Sequence, residues 1–211
     1  MNYKSIDMAT FPRRKHFEFF NTMQSPHVGM TCNVDVTDLV QFCKRNDYSF
    51  YLVFIHLVAL AADSVNEFRQ RIHGYGIREY DECLTSHTEL LDNGTYCYCS
   101  LKHHMPFDEY ILYAEQTRLE CRQQASIKEA DDVDCYYFIS TFPWKQYTDL
   151  IQPVRGPQDS NPRFTWGKFE LDHNGRAQMP VSVLGHHGLI DGLHIARFYQ
   201  SLEEQILELT R

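Results

Sequence analysis

Apolar and polar positions along the chain follow the periods of strands and helices. Apolar residues recur at alternate positions from Val28 to Val36, which predicts a strand. The segment from Ser49 to about Ser64 is apolar on nearly all sides, so it predicts a helix that is buried in the core. Amphipathic helices are predicted from Phe107 to about Ala125 and from Asp191 to about Leu209.

Shorter segments between these elements add strands and turns. Further strands are predicted at Ile77 to Tyr80, Cys83 to Leu90, Thr95 to Leu101, Cys135 to Thr141, Arg163 to Glu170 and Ala177 to Gly185. Thr37 is expected to cap a short helix, and His173-Asn174-Gly175 to form the turn between the last two strands. The stretch from Pro153 to Pro162 is interpreted as a surface loop. Strands with helices interspersed, and no linker, predict one α/β domain over residues 1–211 with a large mixed sheet.

Composition and charge narrow the class of protein. Of 211 residues, 43% are hydrophobic and 14% aromatic, which excludes a disordered chain. The net charge of −8 provides no basic footprint, so no nucleic-acid partner is expected. No secretory signal is expected, and the longest apolar run, Leu52 to Ala62, is too short for a membrane span. The seven cysteines cannot all pair, so we expect reduced thiols and a cytoplasmic location.

The segment from Gly185 to Gly192 carries the strongest chemical signal. An apolar strand ends there in His186 and His187, and a helix follows with Asp191 in its first turn. A histidine held at a strand end suits a general base, because imidazole accepts a proton near neutral pH. The alternative is a pair of partly exposed loop histidines. A metal site is not expected, because helical His-x3-His and Cys-x2-Cys spacings are missing.

The full pattern, His-His-x3-Asp-Gly, resembles the signature of the chloramphenicol acetyltransferase family. Dihydrolipoamide acyltransferases and peptide-synthetase condensation domains share that motif. Segments similar to the family's occur in the expected order over essentially the whole chain: Pro12 to Phe20, Ser49 to Tyr51, Asn66 to Arg69, Ser140 to Trp144 and Phe164 to Lys168. The resemblance implies a two-layer sandwich, in which helices cover a large mixed sheet.

The resemblance also implies the chemistry. His187 would take a proton from a substrate hydroxyl, which then attacks the thioester of acetyl-CoA without a covalent acyl-enzyme. Ser140 would donate a hydrogen bond to the oxyanion, and Thr165 would hold a water nearby. Considered alone, Ser140 is typical of a strand-end turn and Thr165 of a strand.

Two charged residues would support the base. By resemblance, Asp191 forms a buried ion pair with Arg13 that orders the loop carrying His187, and breaking one half of such a pair is costly. The alternative is that Asp191 only caps its helix and Arg13 is a solvated charge.

Ligand residues follow from the same resemblance. The residues implied on the cofactor side are Tyr51, Trp144, Lys168 and Phe169, while Ser49 replaces a family lysine. The residues implied on the acceptor side are Phe19, Phe20, Tyr96, Leu150, Gln152 and Val154. Phe20 replaces a tyrosine, Tyr96 replaces a phenylalanine, and Gln152 places a polar amide where the family has an apolar wall.

The expected function is therefore acetyl-CoA-dependent O-acetylation of chloramphenicol, which would give antibiotic resistance. The alternative is the same chemistry on another hydroxylated small molecule. The resemblance further implies a homotrimer with active sites at subunit interfaces. A dehydrogenase-complex core would require attached lipoyl and subunit-binding domains. A non-catalytic protein on the same fold is disfavoured because Arg13, Ser140, His187 and Asp191 are all present.

Overall fold

The computed structural model describes residues 1–128 and 133–211, which form a mixture of helices and strands. The helices are α1 (Arg14–Phe20), α2 (Thr37–Asn46), α3 (Phe50–Asp63), α4 (Phe107–Gln124) and α5 (Gly192–Thr210). The strands are β1 (Tyr3–Ser5), β2 (His27–Asp35), β3 (Gln70–His73), β4 (Gly76–Tyr80), β5 (Leu84–Leu90), β6 (Tyr96–Leu101), β7 (Tyr136–Phe142), β8 (Arg163–Gly167), β9 (Glu170–Leu171) and β10 (Ala177–His186).

Within the described residues, seven strands form a large mixed sheet in the order β2-β10-β8-β7-β5-β6, with β9 pairing beside the start of β10. The β5–β7 and β7–β8 pairs are parallel, and the remaining pairs are antiparallel. The predicted α/β architecture with a large mixed sheet is confirmed. A separate antiparallel sheet, β1-β4-β3, lies beside it.

Helices α2 to α5 pack on one face of the large sheet. Ten residues of α3 are buried, as its apolar composition predicts, and α3 lies against α5 and α4. The predicted apolar face of α5 is buried too, and its Phe198 ring contacts Phe164 of β8 with centroids 4.8 Å apart. Side chains alternate along a strand, so Ser140 and Thr165 lie on the opposite face from Phe164. That second face carries the chemistry.

Several predicted boundaries are wrong. The strand expected over Arg163 to Glu170 ends at Gly167, because the Lys168 amide donates to the carbonyl of Lys145 (3.0 Å) and leaves the ladder. Thr37 is the first residue of α2 rather than its cap, and its amide and hydroxyl both donate to the Asp35 carboxylate. Three elements, β1, α1 and β3, were not predicted, since each is too short for a periodic signal.

The structure bears on two expectations, one about membrane spans and one about the cysteines. Within the described part of the chain, every helix is too short or too polar to pass through a lipid bilayer. No disulfide bond joins any of the seven cysteines, all of which lie in the described ranges.

Candidate active site

A tight turn links β10 to α5 and carries the motif histidines. The amide of His187 donates to the carbonyl of Pro26 (2.7 Å), which ties the turn to the segment before β2. The amide of Gly188 donates to Nδ1 of His186 (3.0 Å). A Cβ at Gly188 would lie 3.0 Å from that Nδ1 and 3.3 Å from the Cα of Phe17. The turn therefore requires a glycine because two neighbours approach it closely.

The ring of His187 is held on two sides. Its Nδ1 lies 3.0 Å from the carbonyl oxygen of Ile190, and Phe20 stacks on its face with centroids 3.9 Å apart. Because a carbonyl oxygen only accepts, the hydrogen bond assigns the proton to Nδ1 and leaves the lone pair on Nε2. The fold thus presents a basic nitrogen in a fixed orientation.

Arg13 and Asp191 contact the turn that carries His187. The guanidinium of Arg13 contacts the Asp191 carboxylate, and its second nitrogen donates to the carbonyl of His187 (3.1 Å). Asp191 also caps α5, since its Oδ1 accepts from the amide of Leu193 (3.0 Å). Asp191 therefore contacts Arg13 and also occupies the cap position of α5. The pair is less buried than expected, with side-chain exposures of 14% for Arg13 and 32% for Asp191.

The ionisation of Asp191 follows from these contacts. Partial burial raises the pKa of its carboxyl group, but hydrogen bonds from Arg13 and His194 lower that pKa further than burial raises it. The net pKa lies below the ordinary range for an aspartate, so Asp191 is a carboxylate throughout the neutral range and its pair with Arg13 is ionic.

A row of hydroxyl groups crosses the open face of the sheet. Ser140 of β7 is the register partner of Thr165, Thr165 of Ser182, and Ser182 of Thr31. The hydroxyls of Ser182 and Thr31 are 2.7 Å apart. The hydroxyl of Thr165 accepts a hydrogen bond from the side-chain amide of Gln152. The polar amide that the sequence places in an apolar wall therefore has a partner.

A cavity of about 610 Å³ lies at one end of this row. It is lined by all four residues implied on the cofactor side, namely Tyr51, Trp144, Lys168 and Phe169, together with Ser140 and Tyr96. The Tyr51 hydroxyl donates a hydrogen bond to the carbonyl of Thr88 (2.8 Å). Tyr51 therefore contributes its ring, rather than its hydroxyl, to the lining of the cavity. Ser49 occupies the position before α3, directly before these aromatics, without a capping hydrogen bond from its side chain. Tyr96, implied on the acceptor side, lies instead in this first cavity.

A second cavity, of about 530 Å³, lies on the other side of Ser140. Three of the residues implied for the acceptor, Leu150, Gln152 and Val154, line it together with Ser140 and Thr165. Ser140 lines both cavities, as do Thr88 and Thr141. The hydroxyl of Ser140 thus lies where the two spaces meet.

His187, the base implied by the resemblance, lies away from both cavities. His187, Phe19 and Phe20 line neither of them. Ser182 is the register partner of Thr165, and His187 follows five residues later, about 16 Å along the chain at a strand rise of roughly 3.3 Å per residue. Within one chain, the structure does not bring His187 into hydrogen-bonding distance of Ser140.

Two contributors carried no sequence signal. Tyr147 donates from its hydroxyl to the carbonyl of Thr165 (2.9 Å) and accepts from the hydroxyl of Ser182 (3.1 Å), so it braces the hydroxyl row. The carbonyl of Ile190 sets the ring of His187. A tyrosine in a loop is not part of a hydrophobic period, and the position of a main-chain carbonyl does not depend on the type of residue that carries it. Neither contact could therefore be predicted from the sequence.

With this geometry established, comparisons with known proteins identify the family. The family model "Chloramphenicol acetyltransferase" matches residues 1–203. The chain belongs to the chloramphenicol acetyltransferase family. It is 27% identical over 212 residues to chloramphenicol acetyltransferase 2 of Haemophilus influenzae, covering 96% of each chain. It is 26% identical over 214 residues to chloramphenicol acetyltransferase 3 of Escherichia coli, covering 97% of each.

Solved structures agree with this assignment. A chloramphenicol acetyltransferase superposes with a TM-score of 0.90 at 26% identity, covering 97% of this chain and all of the other. A probable dihydrolipoamide acetyltransferase from Listeria monocytogenes shares the fold, with a TM-score of 0.68 at 16% identity and coverage of 98% and 95%. The protein is therefore an acetyltransferase of a family that uses acetyl-CoA as co-substrate.

Proposed function

We propose that the protein transfers the acetyl group of acetyl-CoA to a hydroxyl of chloramphenicol and so confers resistance to it. The observation that carries this proposal is the position of Ser140 at the junction of two cavities. One contains the aromatic and basic residues implied for CoA, and the other contains apolar side chains suited to an uncharged acceptor. Relatives that match over nearly the whole chain are named chloramphenicol acetyltransferases.

In the proposed reaction, Nε2 of His187 takes the proton from the acceptor hydroxyl as its oxygen attacks the thioester carbonyl. The Ser140 hydroxyl donates a hydrogen bond to the oxyanion of the tetrahedral intermediate. When the carbon–sulfur bond breaks, the proton on His187 passes to the departing CoA thiolate, and the O-acetyl ester remains. The side-chain amide of Gln152 donates a hydrogen bond to the Thr165 hydroxyl. By resemblance to the family, a water would bind to this hydroxyl, so we propose that the Gln152 amide takes the place of that water.

We infer that a homotrimer completes the site, with His187 of one copy facing Ser140 of the next. Three features support this: the separation along β10, the partial exposure of the Arg13–Asp191 pair, and the 60% exposure of Phe19, whose ring contacts Phe20. Co-expression of differently tagged His187→Ala and Ser140→Ala chains tests it, because mixed trimers would contain one intact site. Recovered activity in doubly purified trimers is expected. A monomer, or inactive mixed trimers, would contradict the arrangement.

Thiol release tests the reaction itself. The protein is mixed with acetyl-CoA and chloramphenicol, or with other hydroxylated small molecules, and free CoA thiol is followed. Turnover of chloramphenicol with the highest kcat/KM is expected. Turnover of other alcohols alone would replace chloramphenicol as acceptor and keep the chemistry, whereas no thiol release with any alcohol would overturn both. Cytoplasmic location and assignment of residues 1–211 to one domain stay predictions.

A further inference from the structure

A second cluster of histidines lies on the helix-covered face of the sheet. Asp63 ends α3, and His103 and His104 lie in the connection between β6 and α4. Nε2 of His103 is 2.6 Å from Oδ2 of Asp63, and Nε2 of His104 is 2.7 Å from the same oxygen. These three atoms all lie within 4.8 Å of one another. Two imidazoles and a carboxylate thus converge on one point.

The donor set suits a divalent transition metal. Imidazole nitrogen and carboxylate oxygen are ordinary ligands of zinc at about 2.0–2.2 Å. In a tetrahedral site such bond lengths separate neighbouring ligand atoms by roughly 3.3 Å. The present oxygen–nitrogen separations of 2.6 and 2.7 Å would have to increase by about 0.6–0.7 Å, while all three ligand atoms already lie within 4.8 Å of one another. The side chain of His104 is 40% exposed, so one side of the cluster opens to solvent and to a fourth ligand.

Buried neighbours hold the ligands in place. The Tyr137 hydroxyl donates to Oδ1 of Asp63 (2.7 Å), which leaves Oδ2 directed at the two rings. Tyr137 is fully buried, as is the side chain of His103. A hydrogen bond to the second oxygen of a ligating carboxylate is the usual way in which proteins orient such a ligand. The carboxylate and one ring are therefore already arranged before any metal binds.

We propose that Asp63, His103 and His104 bind a zinc ion, with water as the fourth ligand. The ion links the end of α3 to the β6–α4 connection, segments 40 residues apart in sequence. Tyr137 and Ser140 are three residues apart on β7, so they face opposite sides of the sheet, and the zinc site is structural rather than catalytic. The proposal departs from the expectation of no metal. That expectation was based on short ligand spacings within one element, whereas these ligands come from two elements that are distant in sequence.

Metal content and thermal stability test the proposal. The purified chain is stripped with a chelator, dialysed against Zn²⁺, and analysed for bound metal and Tm. One zinc per chain is expected, with Tm rising as free Zn²⁺ rises. Replacement by Co²⁺ is expected to give the visible absorption of a tetrahedral nitrogen–oxygen site. Less than half a zinc per chain, with an unchanged Tm, would overturn the proposal.

Variants locate the binding. His104→Gln removes a partly exposed ligand and is expected to abolish the stoichiometric zinc and the Tm shift, while the metal-free protein keeps its fold. His173→Gln, in the exposed turn before β10, is the matched control and is expected to retain both. Equal zinc binding by His104→Gln and the unsubstituted chain would place the metal elsewhere and contradict this site. If His104→Gln fails to fold, His104→Ala repeats the measurement. Acetyl transfer by the metal-free protein is expected to continue, which keeps this test separate from the proposed function.

Discussion

Two His-His pairs occur in this chain, and they share an outline. In each, the first residue, His186 or His103, is almost fully buried. The second residue, His187 or His104, is less buried. Both pairs lie at or just after the end of a strand of the large sheet, since His186 is the last residue of β10 and His103 lies two residues beyond β6. From the dipeptide alone they are indistinguishable.

Their partners separate them. The ring of His187 directs Nδ1 at a main-chain carbonyl, that of Ile190, and keeps a lone pair on Nε2. The ring of His104 directs Nε2 at the carboxylate of Asp63, which a second imidazole also contacts. A carbonyl oxygen fixes the tautomer of a histidine and so suits it to the proposed role of base, whereas a shared carboxylate attracts positive charge and so makes a candidate metal site. The chemistry of a histidine pair is thus decided by the atom that its ring faces.

The largest expected effect is a difference in kcat between variants of the two histidine pairs. His187→Ala removes the proposed base and should lower kcat by about 10²–10⁴-fold, the usual contribution of general-base catalysis. His104→Ala changes the corresponding residue of the other pair and should leave kcat unchanged. Steady-state thiol release measures both, and circular dichroism checks the fold. A comparable loss in both variants would remove the distinction between the pairs.

The next effect concerns the Arg13–Asp191 pair that contacts the turn carrying His187. Arg13→Met and Asp191→Asn each break the ion pair, and Asn still caps α5. Each should lower kcat by up to about 10²-fold by displacing the base, with little change in KM for acetyl-CoA. Because both changes remove one interaction, the double variant should lose little more than either single variant. Arg13→Lys should recover part of the loss, whereas fully additive losses would show that the pair does not act as a unit.

How far the sequence could predict the fold differs from element to element. The all-round apolar composition of α3 predicts its burial, because only a core position tolerates it. The end of β8 at Gly167 was missed, because it depends on a hydrogen bond from Lys168 to the distant Lys145 carbonyl. Short-range periodicity contains no information on such a contact.

The candidate site shows the same division. The resemblance named Arg13 and Asp191, and the structure places them in contact. It also placed Tyr96 with the acceptor residues, whereas Tyr96 lines the first cavity. The Asp63 cluster was missed entirely, because its ligands come from elements that meet only in the folded chain. The resemblance thus predicts contacts between segments that it covers, even for Arg13 and Asp191, which are 178 residues apart, and it misses contacts among residues that lie outside those segments.

A third prediction concerns acid stability and the buried member of the motif pair. Burial, with a smaller contribution from His27, lowers the pKa of His186 to about 4, so the folded state holds this ring neutral. In the unfolded chain the ring gains its proton near pH 6.5, so acid favours unfolding between about pH 6.5 and 4. This single group should remove up to about 3 kcal/mol of unfolding free energy over that window.

Urea unfolding at several pH values measures that slope. His186→Asn keeps an acceptor for the amide of Gly188 and cannot titrate, so its unfolding free energy should vary less between pH 6.5 and 4. His173→Asn, at an exposed position, should keep the full slope. An unchanged slope in His186→Asn would show that another group controls acid unfolding.

The smallest effect tests whether ring stacking contributes to the base. Phe20 stacks on His187 at 3.9 Å with an angle of 20°, whereas the ring contact of His104 is with His103, at 4.4 Å and 36°. Such an aromatic contact is worth about 0.5–1.5 kcal/mol, so Phe20→Leu should lower kcat roughly 2–10-fold. Phe20→Tyr keeps the ring and should keep kcat. Since neither Phe20 nor His187 lines the first cavity, KM for acetyl-CoA should be the same in both variants. If Phe20→Leu keeps full kcat, ring stacking does not help to orient His187, and the Ile190 carbonyl and the Arg13–Asp191 pair are sufficient to hold it.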